Sequence, residues 1–252
     1  MVRVALLQLQ LQKNHAQAME HVIKLLKTAG AADPDIVCLP EQWYPKPINS
    51  FEQEFKQIID VAREHNMLII PGAFLEKVKE NLYISCPVIA RDGRILGRQL
   101  KIHPYADEKK IVKAGTKAEI FESGTFKFGI AVCHDVVFPE VSRALARKGA
   151  DMLFFPSRIR NEGIEPWQMY VQVRALENRV PAAAPNACSR VYGGKSIAVD
   201  FDYDKKTNIA IPRQALASVN EQILVMDIDL ERARNIRKLR FEDLKSDIYG
   251  SL

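Results

Sequence analysis

The stretch Phe128-Gly129-Ile130-Ala131-Val132-Cys133-His134-Asp135, followed by Phe138-Pro139-Glu140, decides how this chain is read. An apolar run that stops at a thiol, with a helix opening just beyond, is the pattern of a buried strand delivering Cys133 to the carboxyl edge of a sheet. Ligands of α/β proteins bind at that edge, so a sulfur placed there can be a nucleophile. On its own the cysteine says little, because free cysteine is usually a small buried hydrophobe.

Two upstream segments supply the context. Ile36-Val37-Cys38-Leu39-Pro40-Glu41 reads as an apolar strand ending in a carboxylate, and Ile95-Leu96-Gly97-Arg98-Gln99-Leu100-Lys101 as a strand ending in an amine. Separately, Glu41 reads as a solvated loop charge and Lys101 as a surface lysine. Together with Cys133 they form a set of three chemistries at three strand ends.

Leu39-Pro40-Glu41, Arg98-Gln99-Leu100-Lys101-Ile102-His103 and Val132-Cys133-His134-Asp135 resemble the three signature segments of the nitrilase superfamily, the carbon-nitrogen hydrolases with a Glu, Lys, Cys triad. They stand in the family's order, and further similarity runs from Val4-Ala5-Leu6-Leu7-Gln8 to Ala175-Leu176-Glu177-Asn178. The resemblance implies an α/β fold of four layers, an α-β-β-α sandwich with two mixed sheets. It also implies Glu41, Lys101 and Cys133 as catalytic residues, and a homodimer or higher homo-oligomer formed across helices next to the site. Glu108, seven positions after Lys101, matches a second glutamate that family members keep close to the nucleophile.

The chemistry expected of these residues can be written out. A free thiol is only a few per cent ionised at neutral pH, so something must take its proton. Glu41 is the candidate general base. The thiolate attacks an amide carbonyl, and Lys101, with the backbone N–H of His134, stabilises the tetrahedral oxyanion. Glu41 protonates the departing amine, a thioester remains, and Glu41 activates the water that hydrolyses it. Glu108 orients Lys101 or the substrate nitrogen.

Rival mechanisms are weaker on geometry. On an extended segment successive side chains point to opposite faces, so Cys133 and His134 make a poor dyad, and a metal site from Cys133, His134 and Asp135 fails for the same reason. Nothing favours His103 over Glu41 as the base. The expectation is therefore a hydrolase that needs no metal or cofactor and cleaves a non-peptide carbon-nitrogen bond of a small amide. Nitrilases resembling this family carry Trp then Glu after the nucleophile, where this chain has His134-Asp135. Relatives acting on dicarboxylate amides or carbamoyl amino acids often carry an arginine there, where this chain has Val136 and Val137. Arg158 and Arg160, in the loop after the next strand, are candidate replacements for that carboxylate hook, with Trp167 and His134 completing the expected substrate contacts. The alternatives are a nitrilase, an N-carbamoyl hydrolase or an acyltransferase using the same triad, or a binding protein on the same scaffold.

Composition is compatible. A chain of 252 residues, 47% of them hydrophobic, buries enough surface for one α/β domain, read here as residues 1–252. The net charge of +5 is spread over 36 basic and 31 acidic residues without long blocks, which argues against a nucleic-acid partner. No run approaches the ~18 apolar residues of a membrane span. Four scattered cysteines without CxxC spacing fit free thiols in a reducing cytoplasm.

Hydrophobic periodicity sets the remaining elements. Met19, Val22, Ile23 and Leu26 predict a helix stopping near Gly30, and Ser50 with Gln53 predicts the capped start of one helix carrying Phe51, Phe55, Ile58, Ile59 and Ala62. Leu82 to Ala90 and Ile95 to Leu100 read as a hairpin through Arg91-Asp92-Gly93-Arg94. Strands are expected at Met67 to Ala73, Met152 to Pro156, Ala182 to Ala187, Ser196 to Phe201 and Gln222 to Asp229, and a helix at Pro166 to Asn178. Asp200 to Arg213 lacks a short Asp-Gly turn, and the basic helix near Leu230 reads as a solvated or subunit-contact surface.

Overall fold

The computed structural model describes residues 1–245 and 248. The chain opens with β1 (Val2–Gln10), and alternation along it sorts the side chains. Val2, Val4 and Leu6 join one apolar core, whereas Ala5, Leu7 and Leu9 join another. A strand buried on both faces is a central strand. It runs parallel to β2 (Ile36–Cys38), which follows α1 (His15–Gly30), a helix capped by Asn14 and packed through Ala18, Val22, Leu26 and Ala29.

The helix expected from Ser50 is two helices, α2 (Phe51–Glu54) and α3 (Lys56–Glu64), separated at Phe55 with φ −113° and ψ 26°. Ser50 caps the first as anticipated. The break lets Phe55 enter an aromatic cluster, with ring centroids 4.7 Å from Phe51, 4.8 Å from Phe74 and 5.0 Å from Tyr44. Burying that aromatic area outweighs one turn of helix. The first sheet continues through β3 (Leu68–Ile70), β4 (Phe74–Val78), β5 (Asn81–Ile89) and β6 (Ile95–Leu100). β5 and β6 form the expected hairpin, with Gly93 at φ +81° in its turn.

After the short α4 (Glu108–Ile111), the second sheet begins with β7 (Ile120–Glu122) and β8 (Lys127–Ile130). Next come α5 (Pro139–Arg147), β9 (Met152–Phe154), α6 (Ile164–Asn178) and β10 (Ala182–Ala184). β11 (Ala187–Cys188) returns to the first sheet beside β1. β12 (Ile197–Asp204) and β13 (Ile209–Leu216) close the second sheet as a hairpin whose turn carries Asn208 at φ 57° in place of glycine. β14 (Gln222–Ile228) runs antiparallel to β1, and α7 (Leu230–Glu242) follows. Both sheets mix parallel and antiparallel pairs; the second runs β13-β12-β10-β9-β8-β7.

The layers follow from which faces are apolar. Val4, Leu6, Ile36, Ile70 and Val88 of the first sheet meet Phe128, Ile130, Met152 and Phe154 of the second in one core. α1 and α3 cover the outside of the first sheet, and α5 and α6 the outside of the second. This is the α-β-β-α sandwich that the resemblance implied. No helix among the described residues is long and apolar enough to cross a membrane.

The basic helix departs from expectation, because three of its four arginines are tied inward. Arg234 and Arg237 hold Asp151 at 2.7 and 3.0 Å, and Arg232 holds the fully buried Asp200 at 2.7 Å, which Arg213 also reaches at 3.0 Å. Burial alone would raise the Asp151 pKa, but bonds from Arg234, the Lys127 backbone N–H and Arg237 hold it below the usual carboxylate value. Because the folded value is depressed, this contribution to stability is complete above about pH 4, the unfolded value, and is lost as pH falls through the folded one. Asp151→Asn should therefore destabilise the fold by about 1–3 kcal/mol at neutral pH. The difference from the parent should shrink in urea titrations below about pH 4. A difference independent of pH would show that the charge on Asp151 contributes nothing.

Candidate active site

Three strand ends converge. Glu41 lies three residues past β2, Lys101 directly follows β6, and Cys133 follows the extension of β8. All three are buried, with relative exposures of 2%, 1% and 8%. The turn carrying Glu41 depends on Gly72 at φ +93°, whose missing side chain makes room for the Pro40 carbonyl; a β-carbon there would sit 2.0 Å from that oxygen. Gln42, at φ 49°, then donates its backbone N–H to Ala73 at 2.7 Å.

Cys133 itself stands in the left-handed region, φ 49°, and opens a tight 3-10 turn over Cys133–Val137. The premise of an extended segment through Cys133 and His134 is thereby corrected. A non-glycine residue in this region is strained and has to be held by its surroundings. The holding contacts are visible. The Cys133 N–H donates to the Pro156 carbonyl at 2.9 Å, and the Glu41 N–H to the next carbonyl, Ser157, at 3.2 Å. One loop of the second sheet thus fixes both the thiol and a carboxylate from the first sheet.

Asp135 makes the second cross-link, and the sequence reading gave it no role beyond a rejected metal site. Fully buried, it accepts from the backbone N–H groups of His103 (2.7 Å), Val132 (3.1 Å) and Ile102 (3.2 Å), and from His103 Nδ1 at 2.9 Å. It ties the residues after Lys101 to the turn bearing Cys133. Arg174 of α6 clamps the far end of that turn, donating to the carbonyls of Val136 at 2.9 Å and Val137 at 2.8 Å. The available signal for both residues was a charged side chain within an otherwise apolar neighbourhood of sequence.

The electrostatics centre on Lys101. Its Nζ lies 2.8 Å from Glu41 Oε1 and 2.8 Å from Glu108 Oε2. Burial pulls the lysine pKa down, but Glu41, Cys133 and Glu108 outweigh it, so the ammonium is held charged. Glu108 opens α4, accepts from the Tyr105 N–H at 2.7 Å and is within 3.3 Å of the Gln42 amide. The Cys133 thiol is pushed up by burial and by the Glu41 carboxylate, while Lys101 and the Arg158 backbone N–H pull the other way. A thiol so placed is protonated at rest, with a carboxylate beside it to take the proton.

The remaining expected residues are placed as follows. The His134 ring stands edge-on to Tyr105 and Phe138, at 4.9 and 5.3 Å, and its pKa is lowered by burial and by Lys101. His103 stacks on Phe138 at 3.7 Å and turns Nδ1 to Asp135. Arg158 presents its backbone to the sulfur and its guanidinium to the Tyr192 ring at 5.2 Å. Arg160 is separate from this group, its side chain 70% exposed and 3.9 Å from Glu162. Trp167 is buried on the inner face of α6, its indole N–H on Ser157 Oγ at 3.2 Å, so it supports the loop from beneath.

An ammonium held between two carboxylates beside a strained, buried thiol, on a four-layer sandwich, defines a domain of the nitrilase superfamily. The chain belongs to the carbon-nitrogen hydrolase family, whose model matches residues 3–238. It is 32% identical to a probable nitrilase of Schizosaccharomyces pombe over 79% of this chain and 74% of that one. It is 26% identical to the omega-amidase NIT2 of Homo sapiens, over 98% and 96%. Among solved structures, a carbon-nitrogen hydrolase from Helicobacter pylori superposes with a TM-score of 0.85 at 24% identity, covering 99% of this chain and 97% of that one.

Asp135→Asn tests the cross-link. An amide must turn an N–H2 toward backbone donors that now face an acceptor, so unfolding in urea should show a loss of about 2–4 kcal/mol. A loss under about 1 kcal/mol would mean that Asp135 does not hold the two loops together.

Proposed function

We propose that this carbon-nitrogen hydrolase cleaves small amides through a thioester on Cys133, with Glu41 as general base and acid and Lys101 as the charged oxyanion partner. The observation that supports this reading is the Lys101 ammonium, 2.8 Å from both Glu41 and Glu108 and electrostatically coupled to the thiol. As the substrate carbonyl approaches, Glu41 takes the thiol proton and sulfur attacks carbon. Charge moves onto the carbonyl oxygen, where Lys101 and the His134 N–H receive it; one such donor is worth about 3–4 kcal/mol. Glu41 returns the proton to the leaving nitrogen, then deprotonates the water that releases the acid. Glu108 keeps Lys101 aimed and charged.

The substrate reading rests on Arg158. Its backbone N–H helps hold the Cys133 pKa down, and its side chain, packed against Tyr192, has no carboxylate partner among the described residues. A guanidinium on the loop that also anchors the Cys133 backbone suits an amide with a free carboxylate at its far end. The omega-amidase relatives support the same class. Arg160, turned to Glu162, is assigned a lesser part. The probable nitrilase relative favours a nitrile as the second reading, and nitriles of matching length belong in the same assay.

A homodimer is proposed through α6 and β13. Met169, Tyr170 and Val173 are exposed on the helix and Leu216 on the strand face beside it, and Gln172 and Gln214 bridge the two elements at 3.0 Å. Light scattering distinguishes this from a monomer.

Cys133→Ala should abolish ammonia release while leaving the fold intact, and the parent should carry an acyl mass on Cys133 during turnover. Glu41→Gln and Lys101→Met should each lower kcat by ~100-fold or more, with effects far from additive, since the groups act as one unit. Turnover surviving in the alanine variant would remove Cys133 from the mechanism. For the substrate class, kcat/KM should be higher for ω-amides bearing a carboxylate than for neutral amides of equal length, and Arg158→Ala should erase the preference mainly through KM. Equal values in the parent enzyme would dispose of the carboxylate anchor.

A further inference from the structure

A cavity of about 340 Å³ opens between the β12–β13 hairpin and the last turns of α7, lined by Arg179, Tyr203, Asn208, Ile236, Leu239 and Arg240. None of these residues belongs to the catalytic cluster. Arg179 follows the last residue of α6 at φ 53° and ψ 42°, a left-handed cap that glycine usually occupies. A β-carbon strains that position, so the local backbone alone does not account for arginine there.

Its side chain is unsatisfied as well as strained. Arg179 Nη1 is buried without a hydrogen-bond partner. Burial and the like charge of Arg240 both pull the Arg179 pKa below its ordinary value. The neighbouring arginines behave differently: Arg232, Arg234 and Arg237 of the same α7 all reach buried aspartates at 2.7 to 3.0 Å. Two acids also line the cavity: Glu242 faces Lys238 at 3.9 Å, and Asp243 has no ion pair among the described residues. Among the described residues, Arg179 and Arg240 have no carboxylate within ion-pair distance, so the two cations share the cavity with two carboxylates that do not pair with them.

We infer that this cavity is a binding site for a phosphate-bearing small molecule, held by the guanidinium groups of Arg179 and Arg240. Two guanidinium forks match the oxygens of a phosphate, and an anion between them removes their mutual repulsion. Tyr203 donates its hydroxyl to Asn208 Oδ1 at 2.9 Å, which leaves the Asn208 amide N–H2 to face the ligand. Ile236, Leu239 and Ala210 offer an apolar wall for a short carbon chain.

Calorimetric titration of the full chain tests this, with inorganic phosphate and glycerol 3-phosphate as probes and acetate as the carboxylate control, at constant ionic strength. Saturable binding at one site per chain is expected, tighter for the phosphomonoester if a metabolite is the ligand and equal if free phosphate is. Arg179→Met and Arg240→Met should each weaken it about tenfold or more. Arg179→Gly separates ligand binding from folding, because it relieves the left-handed strain: it should melt no lower than the parent yet lose the binding. Absence of saturable binding at millimolar phosphate, unchanged binding in Arg179→Gly, or acetate bound as tightly as phosphate would overturn the assignment.

Discussion

An ammonium group taken out of water has to be paired, and at Lys101 that requirement organises the centre of the molecule. Leaving an ion of this size buried and unpaired costs several kcal/mol even after the protein relaxes. Glu41 and Glu108, each 2.8 Å from Nζ, meet the need, and they come from separate stretches of chain. The pairing is therefore a statement about three loops at once. None can move without exposing an uncompensated charge in a low-dielectric interior.

The sandwich carries the same logic outward. The first sheet delivers Glu41 and Lys101, the second delivers Cys133, and an apolar core between them has no directional contacts with which to set their register. Polar cross-links at the sheet edges do so. Consecutive carbonyls of Pro156 and Ser157 take the N–H groups of Cys133 and Glu41, and Asp135 gathers backbone donors from both sides. Hydrophobic burial brings the layers together, and these buried hydrogen bonds select one arrangement from the many that burial permits.

α7 shows why a charged surface pattern misleads when read along one element. Its arginines, with Glu231 and Glu242 between them, have the composition of a solvated helix. Their carboxylate partners, Asp151 and Asp200, lie at least 30 positions away in sequence and on the second sheet, so no local pattern announces them. Once docked, Arg232, Arg234 and Arg237 are consumed by those partners. Arg179 and Arg240 stand out only against that background.

Much of the architecture was legible because it is periodic. The apolar runs before Glu41, Lys101 and Cys133, the β5–β6 hairpin around Gly93 and the apolar stripe of α1 are local patterns that burial enforces. The break at Phe55 and the left-handed Cys133 were not legible, since each exists through neighbours distant in sequence, and the strands β4, β7 and β13 carried no alternation clear enough to announce them. The same division runs through the site. By itself the sequence determined which chemical groups stand at the strand ends, because alternation and strand length fix what each strand carries to its edge. Only the tertiary structure decided that Glu108 reaches Lys101, that Asp135 locks the two loops, that Trp167 lies in the core and that Arg160 turns to Glu162. Those outcomes depend on distances between segments far apart in the chain, and such distances are set when layers pack.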